Sequence, residues 1–468
     1  MKPEVYTLEA LRKSLSVKTK NGKKTLKHTI NKRVTLLPFK TRNPERAKFA
    51  NGFAPVIGEF FRLVEEKTYH KTDDENELDI ETFITKVSEN VQMNEEDRPY
   101  FEDILKTFLY SANGIRLFHP MMFKYLLLSD SKEATGEKDI AQYIYDVLLK
   151  HNSQILEEIL QIKENEHVLV RLIHKLLPEL KAGNTKETYA MAFPFIKDLF
   201  LEDLRTLTLN RDFFMNNISL FIAYYYFFSV TQLTLKLNQY EEMDKEVASP
   251  VFYNLDWEAT NRNRKATTNG FKLITEASKQ LLSHMNTLEH VNYLLNQENL
   301  LYKDLVQHFE TLAEADREKV YSNLFDWTKE YSEIVLNNVE GIEQKGSLEE
   351  AYRQLQKQIS LGLTKETISR YALYINEIGK VYFLKTRGSL GYTLNVTQDF
   401  LLLLTAVSVK QEKISLKQLF VEFERRGVYF DRYSREEIIK LFNKLNLIEK
   451  KSDSGDAQYV KPILSIHE

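Results

Sequence analysis

The sequence contains no cysteine, which excludes disulfides, thiolate metal sites and cysteine nucleophiles together. Glycine and proline are scarce. They number 15 and 10 in 468 residues, less than half of the roughly 55 that average usage gives. Few turn-formers in a long chain mean few turns, so helices are expected to dominate. No repeat of fixed period is present, which argues against a solenoid. The one membrane suspect, Phe213–Leu235, is uncharged over 23 residues but includes Asn216, Asn217, Gln232 and the run Tyr224-Tyr225-Tyr226. A spanning helix must be predominantly apolar, so this segment is expected as a buried core helix. Met1–Ser14 is charged throughout and has no signal-peptide pattern. A cytoplasmic chain without membrane attachment is expected.

Signatures of enzyme chemistry are also missing. Gly341-Ile342-Glu343-Gln344-Lys345-Gly346-Ser347 resembles a phosphate-cradling loop but lacks the lysine after the second glycine. It reads as a connection between helices. The ten histidines form no His-Glu-x-x-His pair, and His167/His174 and His284/His290 have no acidic pattern suited to zinc. Glu449-Lys450-Lys451 matches half of a metal-nuclease motif, with no Pro-Asp suitably placed before it. No catalytic residue, metal ligand or cofactor is assigned.

What the chain does have is a lopsided charge. The net charge is −3, yet Arg12–Lys48 holds 13 Lys/Arg against the single acid Glu45. Asp73–Asp97 holds ten Asp/Glu against Lys86 alone. A basic arm on an otherwise acidic protein signals a partner, most commonly nucleic acid. Lys18, Lys20, Lys23, Lys24, Lys27, Lys32 and Arg33 are the candidate phosphate contacts, with Asn21-Gly22 as a hairpin turn. The alternative is an arm that pairs with the protein's own acids around Asp73–Asp97. Two smaller basic loops, Arg262–Lys265 and Lys385–Arg387, are further phosphate candidates.

The expected fold is mainly α. A basic arm with a short β element at Val34–Phe39 and an acidic region fill 1–99, a helical body fills 100–390, and a winged helix-turn-helix fills 391–468. Apolar spacing near 3.6 predicts helices over Ile140–Leu160, Phe213–Leu237, Lys272–Asn296 and Leu301–Val339 among others. Arg387–Gly391 reads as a linker. Beyond it, Thr397–Ser408 is an apolar helix, Ser415 and Ser434 open capping boxes, and Leu447–Lys451 with Gln458–Val460 form a hairpin. Third-helix and wing residues Arg432, Arg435, Lys440, Lys444, Lys450 and Lys451 are candidate contacts to double-stranded DNA. Glu436 and Glu437 oppose them, and Thr397–Glu468 carries 12 basic against 11 acidic residues. DNA contact and protein docking are both open for this domain.

The string Arg425-Arg426-Gly427-Val428-Tyr429-Phe430-Asp431-Arg432, and the later run from Leu445 to Val460, resemble the DptG (DndG) family. This is the G component of bacterial DNA-phosphorothioation-dependent restriction systems. Leu37-Pro38-Phe39-Lys40-Thr41, Thr231-Gln232-Leu233 and the chain length are compatible with it. The specific part spans about forty residues near the C-terminus. The resemblance implies partners, the F and H components, which carry the ATPase motors, and an attack on DNA that lacks backbone sulfur. It carries over no catalytic residue. The implied role is a DNA-binding or bridging subunit for antiviral defence. The alternatives are a cryptic metal-dependent nuclease and a winged-helix transcription regulator.

Overall fold

The computed structural model describes residues 7–20, 22–28, 30–68, 80–111, 114–115, 117–130, 132–183, 186–450 and 458–464. The chain is mainly α, with eighteen α-helices among the described residues and only two- and three-stranded sheets.

The Arg211–Leu237 helix is the centre of the molecule. Asn210 caps it, its side chain accepting the Phe213 N–H at 2.9 Å, and it buries residues on every side from Phe221 onward. A helix apolar all round belongs in a core. Here it packs against Ala54–Val64, Pro194–Leu207, Phe271–Leu294 and Lys365–Tyr382. By length and composition it is able to cross a membrane, yet 89% of its most apolar window is covered by protein. One apolar core runs from Leu11 to Val460 through this helix. A smaller core joins Ile80–Glu89, Arg98–Leu109 and Val168–Leu176.

Several expectations need correction. Val34–Phe39 is not a strand. The segment is buried, but its backbone is satisfied by side chains: Glu289 accepts the Val34 N–H at 3.0 Å and Asn299 the Thr35 N–H at 2.6 Å. The N-terminal β element is instead the hairpin Lys18–Lys20 with Lys23–Thr25, whose turn includes Gly22 at φ +75°. Ile140–Leu160 divides into Glu133–Ile144, a π-helical turn at Tyr145–Leu149, and Gln154–Leu160. Leu301–Val339 divides into Tyr302–Glu310 and Glu314–Leu336. Arg387–Gly391 is no linker. It turns between the antiparallel strands Leu384–Thr386 and Tyr392–Val396, and the second of these also pairs in parallel with Asn254–Leu255. Asp73–Asp79 lie outside the described residues.

The C-terminal segment contributes Gln398–Val409, Leu416–Arg425 and Arg432–Lys444, with Ile414–Ser415, Ile448–Lys450 and Gln458–Val460 as a three-stranded antiparallel sheet. Ser415 caps its helix through the Gln418 N–H, at 3.1 Å. Gly427 ends that helix at φ +76°, and a Cβ there would lie 2.3 Å from the Phe228 ring. Only glycine satisfies both conditions. Ser434 does not open the third helix. Asp431 does, accepting the Ser434 N–H at 3.1 Å.

Candidate nucleic-acid interface

The arm is fastened to the body by three acids. Glu289, buried on the Phe271–Leu294 helix, accepts the backbone N–H groups of Lys32, Arg33 and Val34 at 3.3, 2.9 and 3.0 Å. Burial pushes its carboxyl above the usual range against the pull of those amides. Glu298 takes the Arg33 guanidinium at 3.0 Å, which also lies over the Tyr293 ring. Glu330 takes both Arg12 at 2.8 Å and Lys24 at 3.2 Å. Lys32 reaches back to the Ser14 carbonyl at 2.7 Å, and His28 meets the Tyr331 hydroxyl at 2.7 Å. The arm's own-acid alternative therefore takes a form the sequence did not point to, with acids drawn from two body helices and the loop after the first of them, about 260 to 320 positions away.

The hairpin register pairs Lys18 with Thr25, Thr19 with Lys24 and Lys20 with Lys23. Side chains alternate along a strand, so Lys24 turns to the body while Lys18 and Lys23 belong to the other face. Lys18, Lys23 and Lys27 are exposed, with no acid partner among the described residues. The register sets Lys20 directly opposite Lys23. The Lys20 side chain itself lies outside the described residues.

The third helix of the C-terminal segment is different. Arg432 pairs with Glu436 at 2.8 Å, Arg435 with Glu424 at 2.5 Å, and Lys440 with Glu437 at 2.6 Å. Lys444 and Lys450 are exposed, and Lys451 lies outside the described residues. The helix start is tied to the body. Arg264 forks onto Asp431 at 2.6 and 2.8 Å, and Ser434 donates to Glu258 at 2.8 Å. Burial pushes the Asp431 carboxyl up, but the Arg264 fork and the first helix amides hold it below the usual range. Asp431 and Ser434 are thus engaged with the body, while Arg432 and Tyr433 between them stay exposed. Beside the helix start runs a groove of about 770 Å³, lined among others by Phe252, Lys265, Tyr429, Arg432, Tyr433 and Ile439.

In the two smaller basic loops Arg262 and Lys265 are exposed, whereas Arg264, Lys385 and Arg387 are structural braces. Arg264 is the buried fork just described, Lys385 holds the Asp256 carboxylate at 2.6 Å, and Arg387 donates to the carbonyls of Glu258 and Leu255 at 2.9 and 2.7 Å. A second brace joins the C-terminal segment to the body. Arg426 and Asp203, both fully buried, form a two-bond ion pair at 2.7 and 2.5 Å. Tyr225 donates to the same carboxylate at 2.5 Å, and Tyr224 to the Arg426 carbonyl. Sequence reading missed Glu289, Glu330 and Asp203. No local signal sets them apart, because each lies on a helix that carries other charged residues, and sequence alone names no partner for them.

No group of three or more His, Asp or Glu able to hold a metal is present among the described residues. Neither a protein-family model nor a curated protein matches the chain.

Proposed function

We propose that this chain is a non-catalytic subunit that contacts duplex DNA through its N-terminal arm, within a restriction assembly directed against DNA lacking phosphorothioate. The observation that carries the DNA reading is the hairpin: Lys24 on one face lies on Glu330, while Lys18, Lys23 and, just beyond the second strand, Lys27 are presented to solvent. Such an array neutralises phosphates without reading bases, and its affinity depends steeply on salt. The restriction setting rests on the resemblance to the DptG family, with the F and H components as ATPase partners in the cytoplasm.

The C-terminal segment is read as a winged helix-turn-helix. Support comes from its element order, helix–strand–helix–helix–strand–strand, and from the last strand lying in the middle of the sheet. Because this segment is nearly neutral, 12 basic against 11 acidic residues over Thr397–Glu468, and Asp431 and Ser434 at the start of its third helix are tied to the body, the unit is read as a docking surface and the arm as the source of the DNA affinity.

The test is plasmid cleavage. With Mg²⁺ or Mn²⁺ the purified chain is expected to leave plasmid intact. With the F and H components and ATP it is expected to take part in cutting only DNA that lacks phosphorothioate. Metal-dependent nicking that follows the chain through successive columns would favour the nuclease reading and refute this one.

A further inference from the structure

We propose that Arg12 and Lys24 form a phosphate-binding pair that Glu330 holds closed, so that part of the arm's DNA affinity is masked by the protein's own carboxylate. This rests on the reading of the arm as a duplex contact.

The geometry is that of an occupied anion site. Arg12 Nε and Lys24 Nζ each take a different oxygen of Glu330, at 2.8 and 3.2 Å. A phosphodiester offers the same pattern, two charged oxygens sharing one negative charge. The Glu330 side chain is only 10% exposed, whereas those of Arg12 and Lys24 are 44% and 49% exposed. The carboxylate is therefore roofed by two cations that water and ligands reach from outside. Two cations share one acid, so the site keeps a positive excess even when closed. Lys18 and Lys23 stand on the opposite face of the same hairpin.

The closure is weak and the hairpin's seat does not depend on it. Half-exposed ion pairs contribute little and are screened by salt. The arm is held to the body independently by His28 on Tyr331 and by the three amides on Glu289, and it is folded on itself by the Lys27 N–H on the Leu15 carbonyl at 2.9 Å and by Lys32 on the Ser14 carbonyl. Removing the charge of Glu330 thus frees two cations and leaves the hairpin in place. A brace whose only role is structural predicts the reverse: loss of Glu330 loosens the hairpin and weakens any contact it makes.

The experiment is fluorescence anisotropy on a random-sequence duplex over a salt series, comparing the parent with Glu330→Gln, with Arg12→Gln/Lys24→Gln and with all three changes together. Glu330→Gln is expected to bind roughly two- to thirtyfold more tightly, the range spanned by two exposed ion pairs. Its plot of log affinity against log salt should steepen by about 2, close to 0.9 for each added phosphate contact. Removing Arg12 and Lys24 should cost more in the Glu330→Gln background than in the parent, which marks a coupled set. Equal or weaker binding by a Glu330→Gln protein that melts like the parent overturns the proposal, as does a gain that survives loss of Arg12 and Lys24. If the parent binds no duplex at any salt, the DNA reading falls as well. If the parent binds through Lys18, Lys23 and Lys27 and Glu330→Gln gains nothing, only the closed pair is refuted.

Discussion

Replacing Asp203 by alanine is expected to destabilise the protein by about 3–5 kcal/mol, the cost of leaving a buried charge without its partner. Arg426 and Asp203 are both fully buried, and Arg426 lies in the turn that leads into the third helix of the C-terminal segment. Burial pushes the Asp203 carboxyl up, while the Arg426 fork and the Tyr225 hydroxyl pull it toward the ionised form. Without the carboxylate, the guanidinium keeps Glu422, which accepts at 2.9 Å, but loses two of its strongest bonds. Replacing both partners, Asp203→Leu with Arg426→Met, should cost less than Asp203→Ala alone, because no buried charge is then left over. Denaturant unfolding measures both. A loss below about 1 kcal/mol for Asp203→Ala would mean that water reaches the pair and that it does not hold the C-terminal segment to the body.

The second large effect is acid destabilisation by buried neutral histidines. His284, on the Tyr302 hydroxyl at 2.9 Å, and His290, accepting the Trp327 indole N–H at 3.2 Å, are fully buried. Burial lowers both to about 3, and for His290 the nearby His28 adds to the effect. His119 is lowered to about 4, by burial first and then by Arg211, against the pull of Glu166. Unfolded, each histidine takes a proton near pH 6.5. Above about pH 7 neither state holds that proton, and the histidines leave stability independent of pH. Below 6.5 only the unfolded chain gains protons, so stability falls with pH until the folded values are reached. At pH 4.5 the loss is about 2.7 kcal/mol for each of His284 and His290, near 5 kcal/mol for the two. Denaturant unfolding at pH 7 and pH 4.5 checks this. His284→Gln and His290→Gln, whatever they cost at pH 7, should each shrink the difference between the two pH values by about 2.7 kcal/mol. An undiminished difference in both variants would show that these rings are hydrated and titrate normally.

How much of this was legible in the sequence follows from how far each residue's partner lies along the chain. The Ser415 cap and the Gly427 stop are local patterns, and the structure has both; of the apolar face expected at Ile438, Leu441/Phe442 and Leu445, Ile438 and Phe442 are buried, Leu441 is half-buried and Leu445 is exposed. The Ser434 capping box is as good a local pattern and fails, because the hydroxyl is used on Glu258, 176 positions away. Asp431, three residues earlier, takes over as the cap. Arg264 reads as one more exposed cation beside Arg262 and Lys265 for the same reason, since its anchor Asp431 is 167 positions off. Apolar spacing carries through Thr311-Leu312-Ala313 without glycine or proline to mark the break, so one helix was expected where there are two. Of the candidate interface, the basic arm was plain from composition. That Arg12, Lys24 and Arg33 are already paired was not, because ion pairing depends on Glu298 and Glu330 being folded beside them.

The most direct test of the account compares two multiple variants in duplex binding across a salt series: Lys18→Gln/Lys23→Gln/Lys27→Gln in the arm, and Arg432→Gln/Lys440→Gln/Lys444→Gln on the third helix. The arm variant is expected to lose affinity for every duplex sequence and to flatten the salt slope by about 2.7, three phosphate contacts at 0.9 each. Parent and arm variant should then differ by roughly fortyfold more at 0.05 M salt than at 0.2 M. The third-helix variant should keep most of the parental affinity and slope. If instead the arm variant binds like the parent while the third-helix variant loses both affinity and slope, the DNA contact lies on the C-terminal segment, and the arm is a strip for docking an acidic protein surface.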